Sequence, residues 1–201
     1  MGVINRLDSR KALNEVAFRQ AGYFTSRQAI EAGFSPQSQK YHADRGSWVR
    51  LERGLYRLAS WPPHEDDSFA RWATWSEGHG VISFTSAATV HHIGDLDPRD
   101  VHLTLPTNHR TRLAGVELHR GILNQDEIEQ HDTFRVTTPI RTLLDLADAA
   151  ITQEQFTELV TDALDRSLAD ATHLMSRADD FGPRAALRIE RALAAYRRGH
   201  P

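Results

Sequence analysis

Cysteine is absent from this chain of 201 residues, which excludes disulfides, thiolate metal sites and a cysteine nucleophile. Lysine is nearly absent: Lys11 and Lys40 are the only two, both near the front. A lysine-dependent nuclease farther back is therefore excluded, as is a G-K-[ST] phosphate loop. No window approaches the roughly 18 apolar residues of a membrane span. The opening MGVINRLDSRKALNEV lacks the apolar core of a signal peptide. A cytoplasmic protein without membrane contact is the expectation. No G-x-S-x-G elbow is present. His91-His92, with His102 and His119, is the most tempting metal set. Adjacent residues on a helix point about 100° apart, however, and there is no H-E-x-x-H. A structural or surface role is expected for these histidines. No catalytic group, metal or cofactor is assigned, and the chain is not expected to be an enzyme.

What is present is ordinary globular material, 40% hydrophobic and 25% charged, enough for two domains. The net charge of -3 hides an asymmetry. Residues 1–60 hold ten Lys/Arg against five Asp/Glu, a balance of +5, and the remainder fourteen against twenty-two, or -8. A basic front on an acidic remainder points to a polyanion as partner of the first part.

Leu13, Val16 and Ala17 follow helical spacing between Asp8 or Ser9 and Gln20, with Ala21-Gly22 as the stop. Thr25 and Gln28 have the spacing of a capping box, predicting a second helix over 26–32. Gly33 breaks it, and Ser35-Pro36 supplies a cap and a first-turn proline for a third helix over 36–45, stopped by Gly46. WVRLERGLYRLA at 48–59 then alternates as a hairpin, with Gly54 for the turn and Trp48, Leu51 and Tyr56 as anchors. Helix, short helix, glycine turn, helix and hairpin is the order of a winged helix-turn-helix. Gln39 and Ala43 continue the inward stripe of the third helix. Gln37, Ser38, Lys40, Tyr41 and Arg45 then project outward, the mixture of amide and cation that reads a major groove. Thr25, Arg27 and the hairpin's Arg50, Arg53 and Arg57 complete the candidate DNA-binding set.

Ser60-Trp61-Pro62-Pro63 reads as a linker, dividing a DNA-binding domain (1–60) from an α+β domain (64–201). Beyond it the pattern predicts a helix over 67–78 with Phe69, Trp72, Ala73 and Trp75 on its apolar face. A short strand then enters a helix capped by Thr85 or Ser86. Strands are expected at 101–106 and 116–121 about a polar NHRTR turn, followed by a strand and helix within 134–149. The tail is predicted helical over 153–168, 171–178 and 183–197. Glu154, Glu158, Asp162 and Asp165 recur at helical intervals, either as a stripe for a basic partner or as a solvated face paired with Arg184, Arg188 and Arg191.

Residues 22–58 resemble the N-terminal domain of AbiEi-type antitoxins, whose pattern G-x-[FY]-T-x-x-[QE]-A-x-x-x-G leads into W-x-R-[LV]-x-R-G-[VL]-Y-R. Gln39 departs from the aliphatic residue usual there. SFTSAATVHHIGDL, VHLTLP, VELHRG and TTPIRTLLDLAD are similar to that family's second domain. The last of these includes Pro139, Arg141, Thr142, Leu144 and Asp145, with Ile140 where longer members carry glutamate. The likeness spans residues 10–150. It implies an antitoxin that binds operator DNA to repress its own operon and neutralises a nucleotidyltransferase-like toxin. Arg141 and Asp145, with the acidic stripe, are then candidate toxin contacts. The alternatives are a toxin-docking module that does not bind DNA and a solitary winged-helix regulator.

Overall fold

The computed structural model describes residues 6–107 and 113–199. Two compact units emerge, the first made of Met1–Gly80 with His131–Phe134, the second of Val81–Gln130 and Arg135–Pro201. The first unit thus continues past the Ser60–Pro63 linker to Gly80. Arg57 shows why: its guanidinium holds Asp67, at the start of the next helix, at 2.7 Å. Arg71 of that helix likewise reaches Glu52 at 2.6 Å.

In the first unit α1 (Arg6–Phe18), β1 (Tyr23–Thr25), α2 (Ser26–Glu31), α3 (Pro36–Asp44), β2 (Trp48–Glu52), β3 (Leu55–Leu58) and α4 (Asp67–Trp75) follow in order. Strand β1 was not legible in the sequence. It pairs antiparallel with β3, making a three-stranded sheet of order β1-β3-β2. Trp48 centres the core: its ring meets Phe24 at 4.8 Å, Phe34 at 5.1 Å and His42 at 4.7 Å. Leu51 is only half-buried, whereas Leu55 is 1% exposed, so Leu55 replaces it among the anchors. Gly22 is in the left-handed region (φ +84°), and a Cβ there would lie 2.4 Å from the Trp61 ring. No other residue fits.

The second unit carries β4 (Val81–Ile82), α5 (Phe84–Val90), β5 (Val101–Leu105), β6 (Val116–Arg120), β7 (Ile128–Gln130), β8 (Arg135–Thr137), α6 (Pro139–Asp148), α7 (Gln153–Asp165), α8 (Ala171–Arg177) and α9 (Pro183–Gly199). Its mixed sheet has the order β6-β5-β4-β8-β7. The fold is α+β, as anticipated. Strands β5 and β6 pair in parallel. The NHRTR segment at 108–112 lies outside the described residues. Helix α5 begins earlier than predicted, with Ser83 as its flanking residue; Ser86 instead uses its hydroxyl to accept from His102 N–H at 2.9 Å.

Leu143, Leu144, Leu146, Phe156, Val160, Ile189 and Leu193 form the core among α6, α7 and α9. Arg188 is buried there. It donates to the carbonyls of Ala147, Ala149, Ile151 and Thr152 at 2.8–3.1 Å, satisfying acceptors left open where α6 ends and α7 begins. That duty replaces the expected pairing of Arg188 with the acidic stripe.

Candidate nucleic-acid interface

The helix pair is fixed by local hydrogen bonds. Gln28 N–H donates to Thr25 Oγ1 at 3.2 Å and Thr25 N–H to Gln28 Oε1 at 2.8 Å, closing the predicted capping box. Gly33 (φ +97°) turns the chain, and Ser35 Oγ accepts from Ser38 N–H to start α3. Gln39 is 2% exposed. Its amide donates to the carbonyls of Ser26 and Phe34, both at 3.2 Å, and accepts from the Ser26 hydroxyl at 2.5 Å. A buried amide is costly unless satisfied. Here its bonds tie α3 to the start of α2, doing with polarity what an aliphatic residue would do by packing.

Gln37, Lys40, Tyr41 and Arg45 are exposed along α3, with Ser38 half-exposed. Lys40 pairs with Asp44 at 2.7 Å, but both side chains are largely in solvent, where such a pair is worth little. The cation can exchange it for a phosphate. Arg45 lies over the Tyr41 ring at 5.2 Å. His42 faces inward, stacked on Trp48 of β2, which couples α3 to the wing. Burial, with the nearby charge of Arg10, pushes the His42 pKa down.

On the wing, Arg50 and Arg53 are exposed and have no ion pair among the described residues. Gly54, at φ +79°, makes the turn beside Arg53. A groove of about 630 Å³ is lined by Arg10, Ser35, Ser38 and Tyr41 together with Phe34 and His42. Arg10 escaped the sequence reading because nothing local places α1 beside the start of α3.

Three predicted contacts already have partners within the first unit. Thr25 is buried as the α2 cap. Arg57 is 17% exposed, lies over the Tyr23 ring at 5.0 Å and is held by Asp67. Arg27 is exposed, yet its guanidinium grips Glu77 through two bonds of 3.0 and 2.7 Å. The candidates that stay exposed are those of α3 and the wing tip, with Arg27 in a solvent-facing ion pair.

In the second unit Arg141 and Asp145 are turned inward. Arg141 donates to Asp145 at 2.9 Å and meets Glu127 at 3.1 Å, while Arg177 reaches Glu127 at 2.9 Å. Burial is the largest influence on Glu127 and pushes its pKa up, but the Asn124 N–H and the two arginines outweigh it, so the net shift is downward. Asp145 goes the other way: burial raises its carboxyl to about 6 against the pull of Arg141, and its Oδ2 is buried without a hydrogen bond. These groups are paired with one another inside the second unit and are little exposed. Glu154, Glu158 and Asp165 are exposed on α7, whereas Asp162 accepts from Gly94 N–H at 2.9 Å and pairs with Arg166 at 3.2 Å. His91 bonds the Thr137 carbonyl at 2.7 Å and His92 is exposed, so the adjacent pair is not brought together with His102 and His119.

Among solved structures, the crystal structure of the RV2827C protein from Mycobacterium tuberculosis is similar at 16% identity and a TM-score of 0.46, over 94% of this chain and 81% of that one. No curated protein matches. Among the described residues no helix is long and apolar enough to cross a membrane. Residues 11–59 match the family model described as transcriptional regulator, AbiEi antitoxin. The matched residues run from within α1 to the end of the wing, so the segment 11–59 carries the likeness to the AbiEi antitoxin and transcriptional regulator family.

Proposed function

We propose that the protein binds operator DNA through α3 and the wing, repressing the operon that encodes it, and that its second unit neutralises a nucleotidyltransferase-like toxin. One observation carries the DNA half: exposed Gln37, Lys40, Tyr41 and Arg45 lie on a helix locked by Gln39 and coupled through His42 and Trp48 to a wing bearing Arg50 and Arg53. Amide and cationic groups on α3 can meet base edges, while the wing arginines meet phosphate and set affinity rather than sequence choice. The toxin half is supported by the family match and by the exposed acids of α7.

Mobility shift with the protein's own promoter fragment tests the DNA half. Four cations, Lys40, Arg45, Arg50 and Arg53, give an expected salt slope near -3.6, or roughly a 100-fold loss between 50 and 200 mM salt. No shift at low salt sinks the reading. Co-purification with a neighbouring nucleotidyltransferase gene product, and relief of its toxicity on co-expression, tests the other half.

A further inference from the structure

The parallel pairing of β5 and β6 creates a cluster that no local spacing announces. His102 stands opposite Glu117, and Thr104 opposite His119. Because side chains alternate along a strand, the two imidazoles and the carboxylate share one face. His102 Nδ1 lies 2.9 Å from His119 Nε2. Glu117 approaches both rings, at 3.7 Å from His102 Nε2 and 3.9 Å from His119 Nε2. One ligand atom from each of the three residues falls within 4.8 Å of the others.

The surroundings orient the cluster. The Phe84 ring stacks on His119 at 3.9 Å and is tilted against His102 at 5.8 Å. Phe84 holds this place with a left-handed backbone, φ +51°, a conformation that costs energy for a bulky side chain. One side of each ring is thereby packed away, leaving the imidazoles about 20% exposed, at 19% and 21%. Glu117 remains 60% exposed on β6, the edge strand of the sheet, so the cluster can be reached from solvent.

We propose that His102, Glu117 and His119 form a site for a zinc-type divalent cation, with a fourth position left to water. Two imidazoles and one carboxylate are a recurrent donor set for such ions. Two nitrogens bound tetrahedrally at 2.0–2.1 Å stand about 3.3 Å apart, so the present 2.9 Å separation needs only a small opening. Without metal one imidazole donates its proton to the other. On binding, the donor ring moves that proton to its other nitrogen, freeing both facing lone pairs, and no proton leaves the protein. Burial also pushes both pKa values below the ordinary imidazole range, against the opposing pull of Glu117, so the neutral ligand form is present at neutral pH. The bound ion cross-links the edge strand to its neighbour and stiffens that margin of the sheet.

Titration of the full chain with Zn²⁺ by calorimetry, repeated with Co²⁺ followed by visible absorption, tests the site. One ion per chain is expected. His102→Asn or His119→Asn lowers affinity on the order of 100-fold, one ligand's share of a structural zinc site, and Glu117→Gln gives a smaller loss. His64→Asn, in the exposed His64–Glu65–Asp66 group, leaves binding unchanged. Absence of binding overturns the proposal, as does binding that survives both cluster variants or is lost with His64→Asn. X-ray absorption of the unaltered, zinc-loaded protein guards against misfolded variants. Imidazole scattering beside oxygen, with ligands at about 2.0–2.2 Å, supports the site; an all-oxygen shell rejects it.

Discussion

The α3–wing face and the pair Arg141 and Asp145 both stand in the sequence as candidate contacts for a partner. On the wing, Arg50 and Arg53 stand in water with no ion pair among the described residues. In the second unit Arg141 is 14% exposed and already bound to Glu127 and Asp145. The physical difference is desolvation. An exposed cation gives up little to reach a phosphate, whereas Arg141 would leave the buried Asp145 carboxylate without a cation and Glu127 with Arg177 alone. A charge is available for recognition only when the fold has not already used it.

The largest expected effects are on folding. Trp48→Ala removes the aromatic hub of the first unit and should destabilise it by about 3–5 kcal/mol. Urea unfolding monitored by near-ultraviolet circular dichroism measures this, and DNA binding should disappear with it. Arg141→Ala should cost the second unit a similar ~3–5 kcal/mol, because it strands buried charge. If the unfolding midpoint stays put, the cluster is not the internal lock described above.

Next comes acidity. The folded-state pKa of Asp145 is raised to about 6 from 3.8, so its proton binds the native state more tightly than the unfolded chain. That contribution is fully present below the unfolded pKa and is lost as pH rises through the folded one. It amounts to roughly 2–3 kcal/mol between pH 4 and 6. Relative to Asp145→Asn, the unaltered protein should lose stability across that window; parallel stability curves for the two proteins would contradict the assignment.

A paired substitution then tests the contrast between arginines within the first unit. Arg57→Ala should cost about 1.5–3 kcal/mol by removing a charged hydrogen bond to Asp67. It should leave the salt slope of DNA binding unchanged. Arg53→Ala should do the reverse, with stability within about 0.5 kcal/mol and the slope reduced by about 1. Equal slopes for the two variants would erase the distinction. Last comes Gln39→Leu, which keeps the bulk but removes the amide from its Ser26 and Phe34 partners and should cost about 1 kcal/mol. Its larger signature should be altered discrimination among operator variants, because the seating of α3 changes.

What was legible in the sequence was local. Thr25 and Gln28 announce their capping box by spacing alone, and Gly54 with its flanking apolar residues announces the wing. The likeness to AbiEi antitoxins was readable from the same stretch, and residues 11–59 match that family. What escaped was set by partners distant in the chain. Nothing near Arg57 says that Asp67, beyond two prolines, will take its charge. Strand β1 has three residues and exists by virtue of β3. His102 and His119 converge through the parallel register of β5 and β6, which neither strand's own residues specify. Arg141 and Asp145 have the i,i+4 spacing of a surface pair, yet the leucines around them carry that side of α6 into the core.

The buried amide of Gln39 carries a thermodynamic consequence. With both the carbonyl and the hydroxyl of Ser26 engaged by one side chain of α3, the angle between α2 and α3 is settled before any DNA arrives. Little ordering of this helix pair then accompanies association. The heat-capacity change of binding should reflect the surface buried at the interface, without the excess that signals coupled folding.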